Sequence, residues 1–512
     1  MRKRTKQHGL SMLAGLLMMA MLAGWMLSGP FEVEAATEVA NSDALFAAIY
    51  GDSDIDVDIK LTGNIAVSEA LEWKRNSTLT IDLNGCTLSG ENNSGVLKLT
   101  SGTLIITDSS SEGKGTITSS PISVGTITTT GGTLNINGGS IRSGSHTAVK
   151  AVSNSNVNIN GGHLTGAYSA LSIGTNCKVT IGEKGGNPYL QSFSSNSNST
   201  IDMRPSVNSS GDTTASELVI QGGNFVANSS NIFCYVCNVS GGNNKLTISG
   251  GTFTLNAKSG STLVIGEDML DSNVSISGGT YNGRIARMIK GTTWDYSVYY
   301  GGKTTEGIIA SGYVLTDNYL TNITNTEEEP TVFTSNQVSV VPGALLKFDT
   351  RCSSLTTSSG DEKTADLFSI NPVSVGKDGT VYANSNANEI PPSVGGDSSD
   401  GNTYTFHHWI DSNNRAYSSS TDYLAQNSMA GSMGNHVTLY AVWKANCSKP
   451  EGLQSASNCS VVSEVTGSFN LNNGTKYELG KGSWTVTGDN TVYSGEQSFY
   501  VTESGNYGFQ RR

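Results

Sequence analysis

The side chains in this 512-residue chain that could carry acid–base, metal or thiol chemistry are sparse and scattered. Two carboxylates attract attention: Asp82, on the strand-like run Leu79-Thr80-Ile81-Asp82-Leu83, and Asp108, just after Thr103-Leu104-Ile105-Ile106-Thr107. Hydrolysis of a glycan needs paired carboxylates as acid and base within about 10 Å. A lyase needs a Ca²⁺ site of several carboxylates and a basic residue to take the proton. Asp108 reads as a turn residue and Asp82 stands alone on its strand, so neither pattern is met. His163 follows Gly161-Gly162 with no acidic neighbour, and Arg284-Ile285-Ala286-Arg287 offers two cations without a surrounding motif. His407-His408 with His436 fall at strand positions without carboxylates at ligand spacing, so no metal site is expected. Cys234-Tyr235-Val236-Cys237 is a lone CxxC, better read as small core residues than as zinc ligands. Trp294, Tyr296, Tyr299 and Tyr300 form an aromatic cluster that would either stack on sugars or, the preferred reading, cap a core.

The elements that must position these residues announce themselves through a repeated phrase. Leu134-Asn135-Ile136-Asn137-Gly138-Gly139 recurs as Val157 to Gly162, Leu218 to Gly223, Leu246 to Gly251 and Val274 to Gly279. The last three copies lie 28 residues apart and the first two 23 apart. A strand-only unit at that period implies a solenoid, a parallel β-helix. Apolar residues of the phrase point inward, the intervening Asn, Thr and Ser point out, and the glycine pair turns the chain. Two residues after the second glycine an apolar residue returns, as Ile141, Leu164, Phe225, Phe253 and Tyr281. Stacked about 4.8 Å apart, the last three would form an aromatic ladder in the core. Nine to eleven coils are expected between residues 55 and 315, a rod on the order of 40–50 Å. The outward positions, Asn135, Asn158, Thr247 and Ser275, hold amides and hydroxyls where catalysis would need carboxylates.

Residues 1–35 read as a secretion signal. Arg2, Lys3, Arg4 and Lys6 precede the largely apolar Leu10 to Leu27, and Val33-Glu34-Ala35 offers a cleavage site. Membrane association is expected only through this segment, if it is not cleaved. The net charge is −12, and loss of residues 1–35 removes four basic and two acidic side chains, leaving no basic footprint for nucleic acid. Seven scattered cysteines, odd in number, argue against a disulfide framework as the scaffold, although Cys447 and Cys459 are placed to bridge outside the cell. Asn41-Ser42-Asp43 followed by Ala44, Leu45, Ala47, Ala48 and Ile49 predicts a helix within 38–50 that caps the first coil. The run Thr103 to Thr107 is more continuously apolar than its neighbours and is expected to be more deeply buried.

Ile81-Asp82-Leu83-Asn84-Gly85-Cys86-Thr87-Leu88-Ser89-Gly90, followed by Gly102 to Asp108, resembles the opening of pectin-lyase-like right-handed β-helices on secreted Gram-positive proteins. That resemblance covers about residues 38–320 and implies a surface protein without a known reaction. Against the polygalacturonases of that shape, Gly161-Gly162-His163 departs from their Gly-His-Gly, and Arg284 to Arg287 lacks their basic motif. Tyr404 to Asp411 and Val437 to Ala445 resemble the Listeria–Bacteroides repeat, the internalin-B-type B repeat, a small β-grasp-like domain; His408 replaces the usual Gly before the first Trp. The expected organisation is therefore a signal peptide (1–35), a capped β-helix (36–320), a polar linker (321–330), a β-grasp-like domain (331–446) and a terminal β module (447–512). The last ends at Gln510-Arg511-Arg512 without a sorting signal, as in a released protein or a sequence that stops before an anchor. The fold class is all-β. The expected role is non-catalytic, with no cofactor: adhesion to polysaccharide, cell wall or a host surface protein, or an envelope spacer. The alternative is a polysaccharide lyase or glycoside hydrolase of the β-helix type.

Overall fold

A computed structural model describes residues 35–287 and 307–316 apart from short loop segments, then 337–350, 372–382, 394–395 and 403–446. Most of 467–511 is described as backbone strands. The secretion-signal segment and the expected linker lie outside these residues. Among the described residues no helix is long and apolar enough to cross a membrane.

The repeat folds as expected, into a parallel β-helix of about eight turns with three strands per coil. The first sheet is ten-stranded, from Thr37–Val39 to Val274–Ile276, and the third is nine-stranded, from Leu71–Trp73 to Ile285–Arg287. The second runs from Ile65–Val67 to Thr280–Asn282. Nine rungs place the axial length at about 38 Å, so the nine to eleven coils and the rod of about 40–50 Å expected from the repeat are corrected to about eight turns and a shorter rod.

What aligns the coils is visible in the first sheet. Its phrase-final isoleucines pair in strict register: Ile59, Ile81, Ile106, Ile136, Ile159, Ile181, Ile220, Ile248 and Ile276. Every one of them is fully buried. A β-branched side chain packs well against its copy on a pleated surface, and each burial contributes about 1.5–3 kcal/mol. The column outside them carries Thr80, Ile105, Asn135, Asn158 and Thr180. Thr103–Thr107 alternates like its neighbours, with Leu104 and Ile106 buried and Ile105 only half-buried. The deeper burial expected of this strand is therefore corrected: the pleat sends Ile105 outward whatever its hydrophobicity.

The corner from the third sheet back to the first is a single left-handed residue in four successive coils: Gly102, Gly132, Asn154 and Asn176, at φ 70°, 76°, 48° and 51°. Only Gly and Asn adopt that region cheaply. Asn176 also donates from Nδ2 to Asn154 Oδ1 on the coil below, at 2.6 Å.

Both ends of the solenoid are covered. The helix Ser42–Tyr50 is capped by Asn41, whose side chain accepts from Ala44 N, and it buries Leu45 and Ile49 against the first coil. Tyr50 Oη accepts from Glu72 N at 2.8 Å, tying the helix to the first strand of the third sheet. The residues ahead of it differ from expectation: Thr37–Val39 is a strand that pairs with Val57–Leu61, because a sheet edge left open would expose unpaired backbone groups. At the other end the 13-residue strand Gln337–Asp349 pairs antiparallel with Thr280–Asn282, placing Val338 against Tyr281. It then pairs with Tyr313–Leu315, with Val373–Gly376, and in parallel with Val437–Asn446. Its first half, through Val338 and Val340, joins the β-helix core. Beyond Pro342-Gly343, Ala344 and Leu346 join a second core with Trp409, Tyr417, Tyr423 and Leu439. The strand read as beginning at Leu345 thus begins eight residues earlier and serves two cores.

The second core belongs to a small mixed sheet, in which Thr403–Ile410 pairs antiparallel with Val437–Asn446, and the short helix Ser420–Gln426 packs Tyr423 against Tyr417. Residues 467–511 form a four-stranded antiparallel sheet and a two-stranded one. The strands expected around Tyr477, Trp484 and Phe499 are present, and Gly505–Arg511 supplies a further one.

Replacing Val340 with Asp places a charge in the seam between the last coil and the shared strand. Hydrogen exchange should accelerate at Thr280–Asn282 by at least tenfold while the coils around Ile159 stay protected, because solenoid contacts are made only between neighbours. Uniform loss of protection along the solenoid would contradict this account of the seam.

Candidate functional site

A groove of about 770 Å³ opens at the Gly-Gly corner between the first and second sheets, over the last four coils. Its floor is glycine backbone: Gly182, Gly186, Gly222, Gly223, Gly251 and Gly279. Packing explains why no larger residue can stand there. A Cβ on Gly250 would lie 2.2 Å from Gln221 O on the coil below, and one on Gly278 2.1 Å from Ser249 O. The second glycine of each pair has a positive φ, 117° at Gly223, 100° at Gly251 and 98° at Gly279. Beneath it lies the aromatic ladder: a Cβ on Gly251 would meet Phe225 Cε2 at 2.9 Å, and one on Gly279 would meet Tyr281 Oη at 2.9 Å. Phe225, Phe253 and Tyr281 are fully buried, with successive ring centroids 4.8 Å apart at 20° and 7°. The expected ladder is therefore present, and its rings fill the space that the glycines leave.

The walls carry amides and hydroxyls. Asn187, Gln221, Asn224, Thr252, Thr280 and Ser339 line the groove, and none of its lining residues is charged. Asn224 Nδ2 donates to Asn187 Oδ1 at 3.1 Å, and the Thr280 and Ser339 hydroxyls are 3.1 Å apart. The coil-to-coil backbone bonds are already made here. Thr252 N donates to Gly223 O, Thr280 N to Gly251 O, and Val340 N to Gly279 O, at 2.9, 2.9 and 3.1 Å. Ser339 and Val341 come from the shared strand, so the groove is completed by a segment beyond the solenoid.

None of the chemistry-bearing residues singled out in the sequence lies in this groove. Asp108 is a turn residue, as expected. It accepts from Gly85 N at 2.8 Å, Ser110 Oγ at 2.8 Å, Ser110 N at 3.2 Å and Gly115 N at 2.7 Å. Partial burial works to raise its pKa, but these bonds to the ionised form outweigh it and hold the carboxyl below its usual value. Asp82 accepts from Asn84 N and from the N–H and Oγ of Ser109 at 3.0, 2.8 and 2.5 Å. Both carboxylates are engaged in holding the 109–115 turn. His163 is exposed, with its ring 5.4 Å from that of Tyr189 on the next coil. His407 and His408 face one another, Nδ1 to Nδ1 at 2.6 Å, beside a register shift in their strand, and His436 Nδ1 accepts from Leu345 N at 3.0 Å. Burial and the neighbouring His407 depress the His408 pKa.

Cys237 takes a rung of the third sheet between Ile201 and Leu263, and Cys234 is buried as well. Both thiols are free, and burial pushes Cys234 up to about 11, so the CxxC forms core and is far from a reactive thiolate pair. Arg284, Trp294, Tyr296, Tyr299, Tyr300, Cys447 and Cys459 lie outside the described residues. Arg287 ends a strand opposite Ile265.

The lining residues were missed in the sequence, yet a signal for them exists. The polar residue directly after each glycine pair, Ser140, His163, Asn224, Thr252 and Thr280, forms an outward column one step from the apolar ladder. No protein-family model, curated protein or solved structure matches this chain. The fold therefore rests on its strand register, and neither family resemblance has a match behind it.

Two outcomes test this geometry. Gly251→Ala should destabilise the protein by about 1–3 kcal/mol through its left-handed backbone and the ring contact. Combining it with Phe225→Leu should cost roughly 1 kcal/mol less than the sum of the single changes, read by urea denaturation as a double-mutant cycle. Asp108→Asn should cost about 1 kcal/mol at neutral pH, near the low end for a charged acceptor because Asp108 is partly open to water. A depressed carboxyl contributes stability above its unfolded pKa and loses it as the pH falls through the folded one. The stability gap between the Asp108→Asn variant and its parent should therefore close below about pH 4.

Proposed function

We propose that this is a secreted or cell-envelope protein of a Gram-positive bacterium, non-catalytic, serving in adhesion to polysaccharide, cell wall or a surface protein, or as an envelope spacer. The observation that carries the reading is the groove lining, which holds backbone, amides and hydroxyls. Proton transfer to a glycosidic or uronate bond needs a group able to give or take a proton near neutral pH. Asparagine, glutamine, serine and threonine do not titrate in that range. The two carboxylates nearest in kind, Asp82 and Asp108, are committed to a turn. The basic amino terminus followed by an apolar run supports export. The net charge of −12 argues against nucleic acid as partner. The resemblance of Tyr404 to Asp411 and Val437 to Ala445 to a Listeria–Bacteroides, β-grasp-like repeat supports a surface role in the same way, and remains part of this proposal.

The competing reading is a β-helix lyase or hydrolase. Incubating the purified protein with a polysaccharide panel, neutral and acidic, separates the two. The proposal expects no new reducing ends and no ultraviolet absorbance of an unsaturated uronate. Turnover of any substrate would overturn it.

A further inference from the structure

We infer that the glycine-corner groove is a binding site for an uncharged glycan chain lying along the solenoid axis, extended beyond the groove lining by an aromatic end, Tyr189 and His163. This deepens the non-catalytic binding role proposed above and rests on it. The column that supplies three groove residues, Asn224, Thr252 and Thr280, continues in register into Ser339 on one side and into Tyr189 and His163 on the other. Those on the coils alternate with the fully buried Leu164, Leu190, Phe225, Phe253 and Tyr281, and Ser339 with the buried Val338 and Val340, and so point away from the core. The outward column from Tyr189 to Ser339 spans four coil steps, about 19 Å, the scale of a short run of sugar rings.

Three features select the ligand class. The first is charge. The lining has neither the cations that would hold a polyuronate or phosphate nor the anions that would hold a basic peptide. The net charge of −12 opposes polyanions further. The second is the state of the backbone. The carbonyls of Gly223, Gly251 and Gly279 are already taken by N–H groups of the following strand, so a peptide has no open ladder to extend here. Recognition falls to side chains. Asn187, Gln221 and Asn224 each offer two donors and two acceptor lone pairs, and Thr252, Thr280 and Ser339 each offer a hydroxyl that both gives and accepts. Their mutual bonds, Asn224 to Asn187 and Thr280 to Ser339, use only part of that capacity. Groups that donate and accept from the same atom match the hydroxyls of a neutral sugar. The third is the aromatic end. The His163 and Tyr189 rings, tilted at 44° and 5.4 Å apart, leave His163 exposed and Tyr189 half-buried beside the last amide pair. An apolar ring next to amides and hydroxyls suits the C–H face of a sugar. The glycine floor admits the chain closely, since no side chain rises between it and the backbone.

Isothermal titration of the full chain with cellohexaose, mannohexaose and xylohexaose, and with a hexagalacturonate as the charged control, tests the site. At least one neutral hexasaccharide should bind, and the galacturonate should not. Tyr189→Ala should weaken binding about three- to tenfold, the scale of one lost ring contact. Thr252→Arg, which fills the groove, should abolish it, while Thr165→Arg, on the same sheet outside the groove, should leave it unchanged. Thermal melts of all three variants establish that they are folded. No binding of any neutral hexasaccharide, binding of the galacturonate alone, or binding that survives Thr252→Arg in a folded variant would each overturn the site. These results would leave the non-catalytic reading standing. New reducing ends in the titrated mixture would instead overturn that reading.

Discussion

Vertical register is the constraint on which the rest of this β-helix depends. A coil has no core of its own; its inward side chains are buried only if each sits over its equivalent on the next coil. The isoleucine column from Ile59 to Ile276 enforces that alignment. Sliding one strand by a single residue would turn Asn158 inward and Ile159 outward, reversing every burial on that rung. Additional chain can therefore enter only at corners. The 109–115 turn does so, and Asp82 and Asp108 anchor it to its own coil and to the coil below. The turn role read for Asp108 in the sequence thus extends to Asp82, and the two carboxylates hold an insertion in place.

The groove follows from the same constraint. Once large rings replace aliphatic residues at Phe225, Phe253 and Tyr281, the volume under the corner is filled from inside. The corner already requires glycine over the aliphatic Ile141 and Leu164, where Gly139 and Gly162 have positive φ and the coils below leave no room for a Cβ; the rings of the later coils add a second contact that excludes one. A bare backbone floor flanked by outward polar columns is the consequence. The groove is thus the outer side of a packing solution, and what it can bind is set by the polar residue that each coil places after its glycines.

Much of this architecture was legible in the sequence, for a physical reason. The first and second sheets repeat one phrase, and period 2 followed by Gly-Gly encodes strand, corner and rung within a few residues. The third sheet has no such phrase: its rungs include Ile127, Val149, Cys237 and Leu263, which share only burial. Ile105 has the hydrophobicity of a core residue but the parity of an outward one, and parity decides which way a strand side chain points. The polar column escaped notice because it varies in type, from His163 through Asn224 to Thr252, while keeping its place. Thr37–Val39 is not legible as a strand apart from the helix beside it, since three residues carry too little pattern to signal one. Position is kept along the solenoid where residue identity is not, and only the register reveals position.

The shared strand shows where reading by segments fails for a deeper reason. Val338 and Val340 belong to one core and Ala344 and Leu346 to another, on the same face of one continuous strand. A composition shift marks a boundary between patterns, but it carries no information about which neighbours a strand will find. Gln337–Asp349 ends one sheet by pairing with Thr280–Asn282 and begins another by pairing with Val437–Asn446. A free edge at the last coil would be a template for association, and covering it with a strand that is itself held in a second core makes the cover hard to displace. Because Ser339 and Val341 also complete the groove, the segment that protects the solenoid from self-association is the one that closes its polar groove at that end. The boundary between the two patterns in the sequence is therefore the place where the two units are most dependent on each other.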